Sequence, residues 1–255
     1  MEANGSLQSL GHNLGQQNYD GPVVILVDKL SASASEILAG VIQDYDRGLV
    51  IGSQTFGKGT VQRMIELSHG HLKFTEQKYY RVSGESTQNK GVEPDITIPL
   101  VFNDEEIGER SYENSLPYNH IDPIFYRSFN KVENVDLLKT ISSNRTNSNE
   151  MSIYINSQRD FYENEKNNNV VPINVEKRKS MKFAREAQIL LMENKFRKSL
   201  NLDPFVTYDE FVNSDPEEIS ELREEIVLKE AAEILVDSLQ FSETPSRISF
   251  GIMSQ

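Results

Sequence analysis

A continuous apolar run near the start of the chain, Pro22–Asp28, predicts a buried β-strand. It does not alternate between apolar and polar residues, which is typical of a strand covered on both faces of a parallel sheet. Residues 31–45 follow with apolar side chains at helical spacing on one face: Ile37, Leu38, Val41 and Ile42. Gly48 is a suitable C-cap for that helix, and 49–52 is a second apolar strand. Together they predict a βαβ unit with parallel strands and a right-handed crossover.

The rest of the chain divides into a β-rich part and a helical part. Residues 61–67 and 72–82 are strand-like and flank a short polar turn, which predicts a hairpin, and 89–99 predicts a turn and a short strand. Helical spacing then occurs in four segments: 132–143, 148–166, 176–200 and 216–241. The interruption between the second and third, 167–175, is a candidate for one more short strand. We therefore predict an α/β domain over 1–123, connector included, and a mainly α-helical domain over 124–255.

Composition excludes several classes of function. The net charge of −13 leaves no basic surplus for binding nucleic acid. The absence of cysteine rules out disulfides, a thiol nucleophile and Cys-ligated zinc. The four histidines show no HExxH spacing, and two of them fall in the hairpin turn. We expect no metal and no cofactor, and no apolar run approaches the roughly 20 residues of a membrane-spanning helix.

The stretch SASASE, 31–36, lies where the first strand turns into its helix. The carboxyl end of a strand in an α/β sheet is where binding crevices form, and a helix start offers backbone N–H donors. Ser33 is therefore well placed to act as a nucleophile. The alternative is that Ser33 only caps the helix, because Ser33 and Glu36 have the spacing of a capping box.

The loop QTFGKGT, 54–60, supplies a lysine between two glycines. A lysine activates a serine only in its neutral form, so Lys58 is a candidate general base for Ser33. The same loop matches the first part of a P-loop, GxxxxGK. Gly59 replaces the Ser or Thr that a P-loop needs to hold magnesium, and a strand rather than a helix is predicted next. Nucleotide binding is accordingly disfavoured.

Three segments resemble the carboxyl-terminal processing peptidases, in particular the tail-specific protease branch: SASASEI at 31–37, QDYDRGLV at 43–50 and TFGKGTVQ at 55–62. The similarity extends over 73–99, and the helical part resembles the C-terminal domain of that branch. The resemblance implies a ClpP/crotonase-like peptidase core. It also implies a Ser-Lys dyad with Ser33 as nucleophile, Lys58 as base and Gln62 supporting the lysine.

Further roles follow from the same resemblance. It implies that the Ala34 N–H forms part of the oxyanion hole and that Asp44 is an acid of structural importance. A continuous helix would place Asp44 roughly 16 Å from Ser33, since each residue rises about 1.5 Å. The family's second oxyanion donor and its PDZ module are expected upstream of this chain, so we expect the chain alone to have little or no protease activity.

Partners and location are also implied only by the resemblance. It implies protein substrates with unstructured C-terminal tails, an adaptor lipoprotein as a partner, and a place in the periplasm or cell envelope. Residues 1–21 show no signal peptide. The competing interpretation is a non-catalytic module whose helical domain docks an adaptor or scaffold.

Overall fold

The computed structural model describes residues 2–3, 6–8, 19–98, 107–129, 131–168 and 170–241. Up to residue 98 the elements are β1 (Glu2–Ala3), β2 (Ser6–Leu7), β3 (Val24–Val27), α1 (Ala34–Asp44), β4 (Leu49–Gly52), β5 (Thr60–Glu66), β6 (His71–Lys78) and β7 (Ile96–Thr97). After them come a 3₁₀ turn (Glu109–Ser111), α2 (Val135–Asn147), α3 (Glu150–Asn167), α4 (Val175–Ser199), α5 (Tyr208–Val212) and α6 (Pro216–Gln240). This order confirms the predicted α/β part followed by a helical part.

The predicted βαβ unit is present. β3 and β4 are parallel, in a register that pairs Val24 with Leu49 and Val27 with Gly52, and β7 adds in parallel on the other side of β4. The sheet order β3-β4-β7 makes β4 the central strand, and all four of its residues are buried. β3 is an edge of this sheet, and Leu26 is 38% exposed. The expectation that this strand is covered on both faces is therefore wrong.

Helix α1 buries a different face from the one that its apolar residues indicate. Its buried residues are Glu36, Ala39 and Gly40, whereas Leu38 and Val41 are exposed. Small side chains let the helix lie close to the sheet. This close approach, rather than the spacing of the apolar residues, determines which face of α1 is buried. The core beneath α1 is formed by Val27, Ala39, Val50 and Val92, with Ile25 and Ile42 packed against it.

The end of α1 also differs from the prediction. Tyr45 is the C-cap, and Asp46 takes the left-handed conformation with φ 50°, so Gly48 is not the cap. Gly48 meets a different requirement, because a Cβ built there would lie 2.2 Å from the Val23 carbonyl oxygen. The glycine lets the chain pass close to the strand that it is about to join.

Strands β5 and β6 form the predicted antiparallel hairpin, with Thr60 opposite Lys78 and Glu66 opposite His71. A bulge between Val61 and Gln62 shifts the register near the start of β5. The sheet order is β2-β1-β6-β5. The hairpin starts directly after the loop that carries Lys58, so it determines where that loop ends.

The described residues divide into two compact units. One is drawn from Met1–Thr97, Phe102–Lys139 and Ala231–Gln255, and the other from Ile98–Val101 and Thr140–Glu230. The first unit holds both sheets and α1. The second holds α3, α4 and α5, and the described residues between 170 and 174 contain no strand, so the short strand predicted there is not formed. No helix within the described ranges combines the length and the hydropathy needed to cross a bilayer.

The helical unit has its own core. Met151, Tyr154, Ile155 and Phe196 form a buried cluster, in which the rings of Tyr154 and Phe196 stack with centroids 4.4 Å apart. The Tyr154 hydroxyl donates to the carboxylate of Glu193, which is 2% exposed. These contacts explain why α3 and α4 pack together although both are rich in charged residues.

Candidate active site

Ser33 occupies the turn between β3 and α1, one residue before the helix begins. Its backbone has φ 59° and ψ −112°, a region that residues other than glycine seldom adopt. An ordinary N-cap has extended backbone angles, so Ser33 departs from that pattern. Strained turns of this kind persist only where the surrounding structure holds them, and they concentrate at functional sites.

Glu36 holds this turn against the lysine loop. The carboxylate is fully buried and accepts four hydrogen bonds. Its Oε2 accepts the N–H of Ser33 and the N–H of Lys58, each at 2.8 Å. Its Oε1 accepts the N–H of Gly57 at 2.7 Å and the Thr55 hydroxyl at 2.5 Å. A buried carboxylate is stable in such a place because every bond that it receives comes from a correctly placed donor.

The shared oxygen limits how far apart the backbone nitrogens of the two catalytic candidates can lie. Because the backbone nitrogens of Ser33 and Lys58 each lie 2.8 Å from Glu36 Oε2, they are at most 5.6 Å apart. Ser33 and Lys58 are 25 positions apart in the chain. The fold therefore brings the candidate nucleophile and the candidate base into one site.

The Lys58 loop is supported from its other side by Gln88. The Gln88 side chain is fully buried, and its Oε1 accepts the N–H of Gly59 at 2.9 Å. Thr55 continues the support, since its hydroxyl oxygen accepts the N–H of Val92 at 2.7 Å. The Lys58 side chain itself is half-buried. Within the described part of the chain no hydrogen bond or ion pair holds its amine.

Gln62 and Lys58 line the same cavity, which has a volume of about 550 Å³. Gln62 lies on β5 opposite Thr75, and its side chain is exposed. Among the described residues no hydrogen bond joins Gln62 to Lys58. The structure thus brings Gln62 to the lysine's side of the site without a direct bond between the two side chains.

Ala34 is the first residue of α1. The N–H groups of a first helical turn have no partner within the helix and carry its positive dipole end. The Ser33 N–H is already donated to Glu36, so the Ala34 N–H is the next donor at this turn. It lies directly beside the Ser33 side chain along the backbone.

Asp44 lies at the opposite end of α1 from Ser33, where it pairs with Arg81. The Asp44 and Arg81 side chains are both 7% exposed and 2.5 Å apart, and Arg81 also donates to Gln43 Oε1 at 3.0 Å. Tyr79 lies beside this pair. Burial raises the pKa of the Tyr79 phenol above its ordinary value of 10.0, and the Asp44 carboxylate raises this pKa further.

Sequence reasoning missed the role of Glu36. Its capping-box spacing correctly predicts the bond to the Ser33 N–H, but the three bonds to residues 55–58 connect positions about twenty residues apart. Gln88 lies in the segment 73–99 that extends the resemblance, but no local pattern predicts its bond to the lysine loop, because its partner Gly59 is 29 positions away. Within the described ranges no group of three or more His, Asp or Glu side chains is arranged to hold a metal ion.

Two family models match successive parts of the chain. The Peptidase family S41 model matches residues 2–98, and the model described as the C-terminal domain of tail specific protease (DUF3340) matches residues 102–240. A peptidase core followed by that domain defines a class of protease. The chain belongs to the C-terminal processing serine proteases, in the tail-specific protease branch.

Two curated relatives illustrate the match. The tail-specific protease of Haemophilus influenzae is 41% identical over 129 residues, which cover 47% of this chain and 19% of that protein. The carboxy-terminal-processing protease of Bartonella bacilliformis is 46% identical over 86 residues, covering 33% of this chain and 20% of that protein. The chain thus spans about a fifth of the length of these relatives.

Among solved structures, the photosystem II D1 C-terminal processing protease shares 42% identity over 30% of this chain and 20% of its own, with a TM-score of 0.29.

Proposed function

We propose that Ser33 and Lys58 form the catalytic dyad of a serine endopeptidase that cleaves proteins near their carboxyl-terminal tails. The observation that carries this proposal is the carboxylate of Glu36. One buried oxygen accepts the backbone N–H of both residues, so the two cannot move apart without breaking a charge-assisted hydrogen bond. The strained backbone of Ser33 supports the same assignment, because a simple helix cap has no need of it.

One proton is transferred twice before the first product leaves. Neutral Lys58 Nζ takes the Ser33 hydroxyl proton while Ser33 Oγ forms a bond to the peptide carbonyl carbon. The peptide C–N bond then breaks, and the Lys58 ammonium returns the proton to the departing amine nitrogen. Water repeats the sequence on the acyl-enzyme and releases the new carboxyl terminus.

Two other residues assist in this proposal. The Ala34 N–H stabilises the oxyanion, as the donor of this turn that Glu36 leaves available. Gln62, which lines the same cavity as Lys58, orients the Lys58 amine. We propose that the substrates are proteins with unstructured carboxyl-terminal tails. We further propose that cleavage takes place in the periplasm or cell envelope and that an adaptor lipoprotein helps to present the substrate.

Covalent labelling tests the dyad without requiring full turnover. The chain is treated with a fluorophosphonate probe, and the modified residue is located by mass spectrometry. We expect labelling at Ser33, none in Ser33→Ala, and a rate lowered about 100- to 10,000-fold in Lys58→Ala, the usual contribution of a general base. Lys90→Ala is the matched control, because Lys90 pairs with Glu85 at the surface, and its labelling rate is expected to equal that of the wild type.

Peptide cleavage supplies the second readout. A disordered peptide with an apolar carboxyl terminus is incubated with the chain joined to the upstream segments that the family resemblance implies, and with the Ser33→Ala variant of that protein, and the products are followed by mass spectrometry. Cleavage that disappears in Ser33→Ala supports the proposal. Labelling at another residue, or a labelling rate that Lys58→Ala leaves unchanged, would falsify the dyad.

A further inference from the structure

Residues 107–116, which follow the peptidase core, are held by hydrogen bonds against the loop that carries Lys58. The N–H of Glu109 donates to the Phe56 carbonyl oxygen at 2.9 Å. At the other end of the segment, Gln88 Nε2 donates to the Leu116 carbonyl oxygen at 3.0 Å and to Glu109 Oε1 at 3.2 Å. Gln88 also accepts the N–H of Gly59, so one buried side chain joins this segment to the lysine loop.

The cavity of about 550 Å³ lies between this segment and the β5–β6 hairpin. Its two walls differ in character. The hairpin wall presents polar side chains such as Gln62 and Thr75, which suit the N–H and C=O groups of an extended peptide. The other wall carries the Tyr112 ring, whose centroid is 6.4 Å from that of Phe56, and the Leu116 side chain. This volume exceeds that of any single amino-acid side chain and lies within the range of ligand sites.

We propose that this cavity binds the substrate residue on the amine side of the scissile bond, and that Tyr112 and Leu116 give it a preference for an apolar side chain. The inference rests on the proposed dyad. If Lys58 returns its proton to the departing amine, the amine side of the bond lies against Lys58 when the bond breaks. The residue that carries that amine is therefore the substrate residue nearest to Lys58, and the cavity that Lys58 lines is the space next to it.

The charges that line the cavity favour neither an acidic nor a basic occupant. Besides Lys58, the lining includes Lys73 and the carboxylates of Glu109 and Glu113. An ionic side chain of either sign would therefore meet like charges as well as opposite ones. An apolar side chain that packs against Phe56, Tyr112 and Leu116 gains from the burial of its own surface.

The test varies one substrate position. Four peptides differ only in the residue after the scissile bond, which is Leu, Ala, Asp or Lys, and kcat/KM is measured by mass spectrometry with the chain joined to the upstream segments that the family resemblance implies. We expect Leu to be preferred over Asp and Lys by about tenfold or more. Tyr112→Ala and Leu116→Ala are each expected to lower the rate with the Leu peptide more than with the Ala peptide. Tyr118→Ala is the control, since Tyr118 contacts Lys90 outside the cavity, and it should keep the wild-type order.

Binding to the Ser33→Ala chain gives a readout that does not depend on catalysis. Fluorescence anisotropy with labelled forms of the same four peptides should show that the Ser33→Ala chain binds the Leu peptide more tightly than the others. This preference should be lost in the chain that carries both Ser33→Ala and Tyr112→Ala. Equal affinity for the Leu, Asp and Lys peptides, or a preference that both cavity variants retain, overturns the inference. Such a result leaves the dyad standing if Ser33 is still labelled, whereas failure of labelling at Ser33 refutes the proposed function itself.

Discussion

Glu36 shows how one side chain can serve the fold and the candidate site together. It satisfies the start of α1, where it binds the Ser33 N–H, and it also receives two N–H groups and a hydroxyl from residues 55–58. Removing any of these donors would leave the buried carboxylate less solvated. Because hydrogen bonds to charged groups contribute about 1.5–3 kcal/mol each, the carboxylate ties the geometry of the nucleophile to the stability of the whole domain.

Glu36→Gln tests this coupling. The amide replaces one acceptor oxygen with an NH₂ group that faces N–H donors, so at least one buried donor loses its partner. We expect the free energy of unfolding, measured by urea denaturation, to fall by about 3 kcal/mol. The rate of fluorophosphonate labelling at Ser33 should fall as well, in conditions where the variant is still folded. Glu93→Gln, at an exposed glutamate, is the control and should change neither quantity.

Ionisation of the Tyr79 phenol lowers the stability of the folded state at alkaline pH. Because burial and the nearby Asp44 carboxylate raise the pKa of its phenol in the folded state, the unfolded chain loses this proton first, near pH 10. The stabilisation linked to Tyr79 is therefore complete below about pH 10 and is lost as the pH rises through the folded-state pKa.

Tyr79→Phe should remove the loss of stability that ionisation of Tyr79 causes at alkaline pH. Urea denaturation at pH 8, 9, 10 and 11 is expected to show a shallower loss of stability in Tyr79→Phe than in the wild type above about pH 10. Tyr162→Phe, at a tyrosine that is 54% exposed, should follow the wild-type curve. Parallel curves for all three proteins would contradict the assignment.

At the scale of elements, the loop between β4 and β5 depends on a close backbone approach. A Cβ built on Gly59 would lie 2.5 Å from the backbone nitrogen of Gln88. The Gly59 carbonyl oxygen also accepts the N–H of Tyr79 at 2.8 Å, so the residue is fixed on both sides. Lys58 precedes it, and any displacement of Gly59 moves the base.

Gly59→Ala should therefore lower stability and labelling together. The added methyl forces a backbone shift, for which overpacking typically costs about 1–3 kcal/mol, and it moves Lys58 away from Ser33. Thermal denaturation and the Ser33 labelling rate measure the two effects. Gly70→Ala is the comparison, because a Cβ at the hairpin tip meets nothing within 4 Å. The φ of 90° at Gly70 is unfavourable for alanine, so this variant is expected to lose stability through its own backbone alone, and its labelling rate should equal that of the wild type.

The elements themselves were largely predictable, and their contacts were not. The unbroken apolar run at 22–28 and the turn residues at 68–71 correctly predict parallel strands and a hairpin, because both signals are local. The buried face of α1 was missed because Ala39 and Gly40 reach the sheet by being small, which apolar periodicity does not reveal. The resemblance of 31–62 singled out Ser33 and Lys58, whereas Glu36 and Gln88 became recognisable as supports only once distant segments were folded together.

At the scale of the whole molecule, net charge opposes folding. The chain holds 39 acidic and 26 basic residues, for a net charge of −13 at pH 7. Compaction brings these like charges closer, which destabilises the folded state through self-repulsion. Exposed ion pairs such as Arg63–Glu76 and Lys179–Glu176 contribute less than about 1 kcal/mol each. The two effects respond to salt with opposite signs, so a salt titration tells which one dominates.

We expect salt to stabilise this protein at pH 7. Raising NaCl from 0.01 M to 0.1 M shortens the Debye length from about 30 Å to about 10 Å, which screens repulsion across the molecule more than attraction within pairs about 3 Å apart. The melting temperature should rise by about 2–4 °C for each kcal/mol of repulsion removed. The control is the same titration near pH 4.8, the isoelectric point expected from the sequence, where the net charge is small and the rise should disappear or reverse. A melting temperature that falls with salt at pH 7 would mean that the ion pairs, rather than the excess of acidic residues, govern the electrostatic stability of the fold.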